Sequence, residues 1–140
     1  MPIQDLARED VVRASAETSV TELAQIMRDE EVGSVVITED ESPVGIVTDR
    51  DLTMRVLAEG SSPEGQTAAD VMSSDLQTVD TETGFYEAAE VMSEHGIRRL
   101  PVLSNGGDLA GIITADDLTE LMADEEQQLA GVIRAQRPAY

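Results

Sequence analysis

Thr48-x-x-Asp51 recurs in this chain as Thr114-x-x-Asp117, and each pair opens an expected helix. A threonine placed three residues ahead of an acid is close to a capping box, with Asp where Glu or Gln is usual. As a cap alone it contributes about 1 kcal/mol and needs no ligand. The same position also favours a bound phosphate, through unpaired amide groups and the helix dipole. An aspartate just inside the helix can accept hydrogen bonds from both hydroxyls of a ribose. Capping and ligand contact are compatible, so both readings stand. A second constellation is Arg98-Arg99, two adjacent guanidinium groups in a chain with only nine basic residues. They suit a phosphate fork and equally suit salt bridges to nearby acids. Pro101 lacks a backbone donor, which fits a sheet edge or a cleft wall.

Catalytic groupings are not found. The single histidine, His95, has no cysteine or second histidine to join it in a zinc site. The sequence has no Gly-x-Ser-x-Gly elbow, P-loop or Gly-x-Gly-x-x-Gly. The acidic run Asp40 to Ser42 lacks the ligand spacing of a calcium loop. The expectation is a protein that is not an enzyme.

The elements that must position these residues come in two copies. Gly45-Ile46-Val47-Thr48-Asp49-Arg50-Asp51-Leu52 returns 66 positions later as Gly111-Ile112-Ile113-Thr114-Ala115-Asp116-Asp117-Leu118. Upstream, Val20, Leu23, Ala24 and Met27 answer to Phe85, Ala88, Ala89 and Met92, and Val32 to Ile37 answers to Ile97 to Val102. Such self-similarity means one structural unit used twice. Within the first copy, Ser19 with Glu22 predicts a helix start, and the apolar spacing predicts one buried face. Val35–Thr38 and Val44–Val47 flank an acidic turn and predict a hairpin. A helix is expected from Asp49 to Ala58. In the second copy the spacing predicts a helix over 83–94 ending near Gly96, strands over 100–103 and 109–113, and a helix from Ala115. These readings divide the chain into 1–60 with a short lead-in, a linker at 61–69, 70–123, and a helical tail at 124–140. Leu129, Val132 and Ile133 in that tail form an apolar stripe, expected to pack back on the first copy or on a second subunit.

The runs GIVTDRDL, IRRLPV and GIITADDL resemble the CBS domain, the module named after cystathionine β-synthase. The resemblance covers roughly residues 5 to 123. It implies an α/β fold of tandem β-α-β-β-α motifs packed about a pseudo-twofold axis, the arrangement called a Bateman module. It also implies clefts that bind adenosine-containing ligands (AMP, ADP, ATP or S-adenosylmethionine) and signal to a regulated partner. On the matching positions, Thr48, Asp51, Thr114 and Asp117 would contact ligand, and Arg98 and Arg99 would reach its phosphates. Thr78, Val79 and Asp80 would lie near the base, with Arg13 and Ser15 as their counterparts. The first copy has Gly33 and Ser34 where the second has Arg98 and Arg99. Two unequal clefts are therefore expected, the arginine-served one favouring charged nucleotides and the other weak or empty. Asp49 adds an anion beside Thr48, so polyphosphates there would need Mg²⁺ or salt. Dimers are common among such modules, and a homodimer is expected.

Composition bounds the rest. Nine basic against 29 acidic residues leave a net charge of −20, and every basic residue is arginine. That surface disfavours nucleic acid and anionic membranes. It reads either as an ordinary acidic protein or as adaptation to high intracellular salt, where a Debye length near 3 Å screens self-repulsion; the absence of lysine favours the second and resembles proteins of salt-loving archaea. Hydrophobic residues make up 41% but aromatics only 2%, so the core must rest on aliphatic side chains and methionine. No stretch has the apolar length of a signal core or a membrane span, and a cytoplasmic location is expected. Two rivals remain: a ligand-free interaction module whose Thr and Asp only cap helices, and an acidic sensor of Mg²⁺.

Overall fold

A computed structural model describes Ile3 and residues 6–137. Each half of the chain forms a three-stranded sheet with its own helices. In the first, β1 (Arg13–Ala14) runs parallel to β2 (Ser34–Glu39), which pairs antiparallel with β3 (Ser42–Thr48). Helix α1 (Val20–Glu30) connects β1 to β2, and the short α2 (Asp49–Leu52) follows β3. After α3 (Ala68–Val71) the second half repeats the order: β4 (Val79–Asp80), α4 (Phe85–His95), β5 (Arg99–Leu103), β6 (Leu109–Thr114) and α5 (Ala115–Gln136). Strand pairing is the same, β4 parallel and β6 antiparallel to β5. The tandem β-α-β-β-α order implied by the resemblance is thus present. Among the described residues, no helix is long and apolar enough to cross a membrane.

Apolar spacing accounts for two separate cores. Val20, Leu23 and Met27 recur on one face of α1 and meet Val35, Ile37 and Val47 of the first sheet. Ala88 and Met92 of α4 meet Leu100, Val102 and Ile113 of the second. Each Val, Leu, Ile or Met among them contributes roughly 1.5–3 kcal/mol when fully buried.

The cores are joined by an exchange of straps. Ile3, ahead of the first unit, is fully buried in the second core, while Ala68 and Val71, ahead of the second unit, are buried in the first. Arg8 exchanges both backbone hydrogen bonds with Ile112 (2.9 and 3.1 Å), and Ser73 does the same with Ile46 (3.1 and 3.0 Å). A glycine admits each strap: a Cβ on Gly111 would lie 3.0 Å from the Arg8 carbonyl oxygen, and one on Gly45 2.6 Å from the Met72 sulfur. Both glycines head the repeated octapeptide, so the close approach is part of the repeat.

Three expected elements differ in detail. The helix read over 49–58 keeps α-helical geometry for one turn only and continues as a π-helical turn over Thr53–Leu57. The helix read over 83–94 starts at Phe85, because the Thr83 hydroxyl bonds with the Asp80 turn and Gly84 becomes the cap residue. The tail does not fold back: α5 runs unbroken to Gln136, leaving Leu129, Val132 and Ile133 exposed.

Candidate functional site

The strands ending at Thr48 and Thr114 deliver both repeated pairs to the start of a helix with nearly identical geometry. The Thr48 hydroxyl accepts the Asp51 amide at 3.1 Å, and the Asp51 carboxylate accepts the Thr48 amide at 2.9 Å. For Thr114 and Asp117 the corresponding distances are 3.2 and 2.9 Å. Both capping boxes are complete. Each uses one oxygen of its aspartate, Oδ2, and leaves Oδ1 for something else.

Two hollows between the halves receive these helix starts, and repeat-equivalent residues line them. The first, of about 270 Å³, takes Thr48, Asp49, Arg50 and Asp51 from the first unit, Ser73, Asp75, Leu76 and Gln77 from the strap, and Ile97, Arg98, Arg99 and Pro101 from the second. The second, of about 280 Å³, takes Thr114 and Asp116, Arg8, Asp10, Val11 and Val12 from the strap, and Val32, Gly33, Ser34 and Val36. Arg98 and Arg99 therefore share a cleft with Asp49 and Asp51, and the residue expected to deter phosphates lies with those expected to attract them. Arg99 borders both hollows. A Cβ on Gly33 would lie 3.3 Å from an Arg99 guanidinium nitrogen and 3.4 Å from Asp49 Oδ2, so Gly33 makes room for both groups. Arg99 has no salt bridge among the described residues, whereas Arg98 is held 2.9 Å from Asp116.

The environments of the two aspartates diverge at Oδ1. In the first cleft, Asp51 has Arg55 Nε at 3.9 Å, too far for a hydrogen bond, while the Arg55 guanidinium donates to the Val71 carbonyl at 2.7 Å. In the second, Arg8 donates to Asp117 Oδ1 at 2.9 Å. Asp51 lines its hollow and Asp117 does not reach its own.

Of the remaining expected residues, one joins the first cleft and the others are placed elsewhere. Pro101 is buried and walls the first cleft. Val79 is buried in the second core, and Asp80 orders the turn before α4 through Thr83 and the Glu82 amide. Thr78 lines a separate hollow that meets the first cleft at Leu76. Arg13 pairs with Glu41 at 3.2 Å, and the Ser15 hydroxyl with that of Thr18 at 3.2 Å. His95 is exposed, its Nδ1 beside the Val91 carbonyl. Sequence reasoning passed over the straps: Arg8, Asp10, Ser73 and Asp75 line the clefts, and Arg8 and Ser73 sit 65 positions apart, the offset of the upstream repeat.

Residues 3–58 and 68–124 each match the CBS domain. This chain belongs to the CBS domain family. Its two CBS motifs form a CBS pair, and similar proteins span distant organisms. An uncharacterized protein of Methanopyrus kandleri is 38% identical over 120 residues, which are 85% of this chain and 61% of that protein. The present chain thus spans under two thirds of that relative. Hypoxic response protein 1 of Mycobacterium tuberculosis is 33% identical over 82% of this chain and 80% of its own length. Among solved structures, Hypoxic Response Protein I with two coordinated zinc ions aligns with a TM-score of 0.77 at 31% identity, covering 86% of this chain and 98% of that one. A CBS domain protein of Pyrobaculum aerophilum complexed with AMP aligns with a TM-score of 0.76 at 26% identity, covering 84% and 89%.

Proposed function

We propose that this CBS pair is a regulatory module that binds one adenosine-containing ligand in the first cleft and signals to a partner protein. The observation that carries the reading is the pairing, in one hollow, of Asp51 with Arg99. Asp51 Oδ1 accepts no hydrogen bond among the described residues and has Arg55 only at 3.9 Å, and Arg99 has no salt bridge among them. A ribose diol suits the first and an anionic group the second. The Pyrobaculum aerophilum neighbour with AMP supports a nucleotide of that class. AMP, ADP, ATP and S-adenosylmethionine are the candidates. Asp49 beside Arg99 disfavours a polyphosphate chain unless Mg²⁺ accompanies it. The ligand would bridge residues of both motifs and bias their packing, to the extent that it binds one arrangement better than another.

Thermal unfolding with AMP, ATP or S-adenosylmethionine tests this. A ligand at a hundredfold its dissociation constant adds about 2.7 kcal/mol of stability. Asp51→Asn retains an oxygen for the Thr48 amide and is expected to abolish that gain, whereas Asp117→Asn leaves it intact. Stabilisation by none of the three, or an equal loss in both variants, sinks the reading.

A second observation bears on the partner. Met122, Leu129, Val132 and Ile133 of α5 and the neighbouring Tyr86 are all exposed. We place on this apolar face the contact with a second copy of the chain; sedimentation of the purified chain as a dimer supports this, and a monomer overturns it.

A further inference from the structure

The second cleft has the volume, the threonine and the aspartate of the first, but its aspartate is already taken. We infer that Arg8 is a built-in occupant that closes the second cleft to a ribose, so that each chain has a single ligand site. This rests on the proposed adenosine-ligand reading and deepens it by fixing the stoichiometry and the residue that sets it.

Four observations converge. The Arg8 guanidinium lies 2.9 Å from Asp117 Oδ1, the oxygen that the cap leaves over. The Asp117 and Asp51 side chains are similarly covered, 10% and 15% exposed, but Asp51 lines its hollow while Asp117 does not, so a ribose would have to displace the arginine to reach Asp117. Arg8 is not a loose surface group at its root: its backbone pairs with Ile112, and the strap is anchored by the fully buried Ile3. The repeat supplies an internal control. Ser73 holds the same backbone pairing against Ile46, and its side chain is too short to claim Asp51 in that way. With Ser73 in that place, the guanidinium beside Asp51 Oδ1 is that of Arg55 at 3.9 Å, beyond hydrogen-bond reach, against 2.9 Å for Arg8 and Asp117. Glu31, lining the second hollow where the repeat-equivalent position 96 is glycine, further opposes an anionic group there.

The test exchanges the two residues. Calorimetric titration of the full chain with AMP is expected to give one site. Arg8→Ala and Arg8→Ser keep the backbone bridge and are expected to give two. Ser73→Arg is expected to weaken binding at the first cleft by about tenfold, the equivalent of about 1.4 kcal/mol. Asp51→Asn combined with Arg8→Ser should leave one site, now in the second cleft. Two sites in the unaltered chain, or one site in both Arg8 variants with their thermal midpoints unchanged, would overturn the inference while leaving the adenosine-ligand reading in place. Binding to the Arg8 variants but not to the unaltered chain would support the inference and remove the first cleft as the native site. No AMP bound by any form would overturn both.

Discussion

In the first cleft Asp51 lines a hollow edged by Arg99, and its spare oxygen lies 3.9 Å from Arg55; in the second the spare oxygen of Asp117 accepts from Arg8 at 2.9 Å. The caps beneath are superimposable in their distances, 3.1 and 2.9 Å against 3.2 and 2.9 Å. Duplication has therefore preserved the half of the motif that starts the helix and let the half that faces the hollow diverge. The strap carries the divergence. It is anchored by Ile3 in the second core and by Ala68 in the first, at repeat-equivalent positions that are both fully buried. Because the straps are exchanged, a residue written at the start of one motif decides the chemistry of the cleft beside the other.

The strongest way to break the comparison is to remove the anchor. Ile3→Ala leaves at position 3 the residue type found at 68, in a site shaped for isoleucine. The lost transfer energy and the cavity together are expected to cost about 2–5 kcal/mol. Urea denaturation of the purified variant measures this. A cost below the range would mean that the strap, and Arg8 with it, is held by the packing of Leu6 and Ala7 and by its backbone pairing with Ile112.

That anchor marks where the sequence stopped being legible. The repeat made the fold readable, because the octapeptides, the helix periodicities and the paired strands all recur in register. Thr48, Asp51, Thr114 and Asp117 were readable as caps for the same reason. Local patterns do not say on which sheet an extended segment will lie, and nothing near Ile3 or Arg8 distinguishes packing in its own motif from packing in the other. Arg98 and Arg99 were recognisable as a pair of cations, but their separate fates were not: Arg98 turns to Asp116 while Arg99 stays between the clefts. Val79 and Asp80 follow ordinary packing and turn chemistry, Val79 entering the core and Asp80 binding Thr83. The repeat offset does equate Arg8 with Ser73, which is the signal that could have exposed the asymmetry.

A smaller effect separates the clefts by charge. Arg99 borders both hollows, yet only the first pairs it with an aspartate free to take a ribose. Arg99→Ala removes a charge-assisted contact expected to contribute about 1.5–3 kcal/mol to an anionic ligand. AMP affinity should fall accordingly, while unliganded stability changes little because Arg99 holds no acid among the described residues. Adenosine, which lacks the phosphate, should bind the variant and the unaltered chain alike. Equal losses for AMP and adenosine would show that Arg99 supports the cleft wall and does not meet the phosphate.

The finest distinction comes from the two threonines. Thr48→Ala and Thr114→Ala each delete a hydroxyl that accepts a helix amide, and each is expected to cost about 1 kcal/mol. Equal costs are expected in the absence of ligand, since the flanking contacts match as well: Thr53 and Thr119 donate to the carbonyls of Asp49 and Ala115 at 3.0 and 2.9 Å. The helices beyond them are unequal, α5 running 22 residues while α2 passes into a π-helical turn after four. If that length mattered to the cap, Thr48→Ala would be the costlier change without any ligand present. If the cap is local, as its geometry indicates, the two costs coincide, and only Thr48→Ala reduces the additional stabilisation given by AMP. The excess at Thr48 in the presence of ligand then measures what the cleft adds to a residue whose structural duty is the same in both halves.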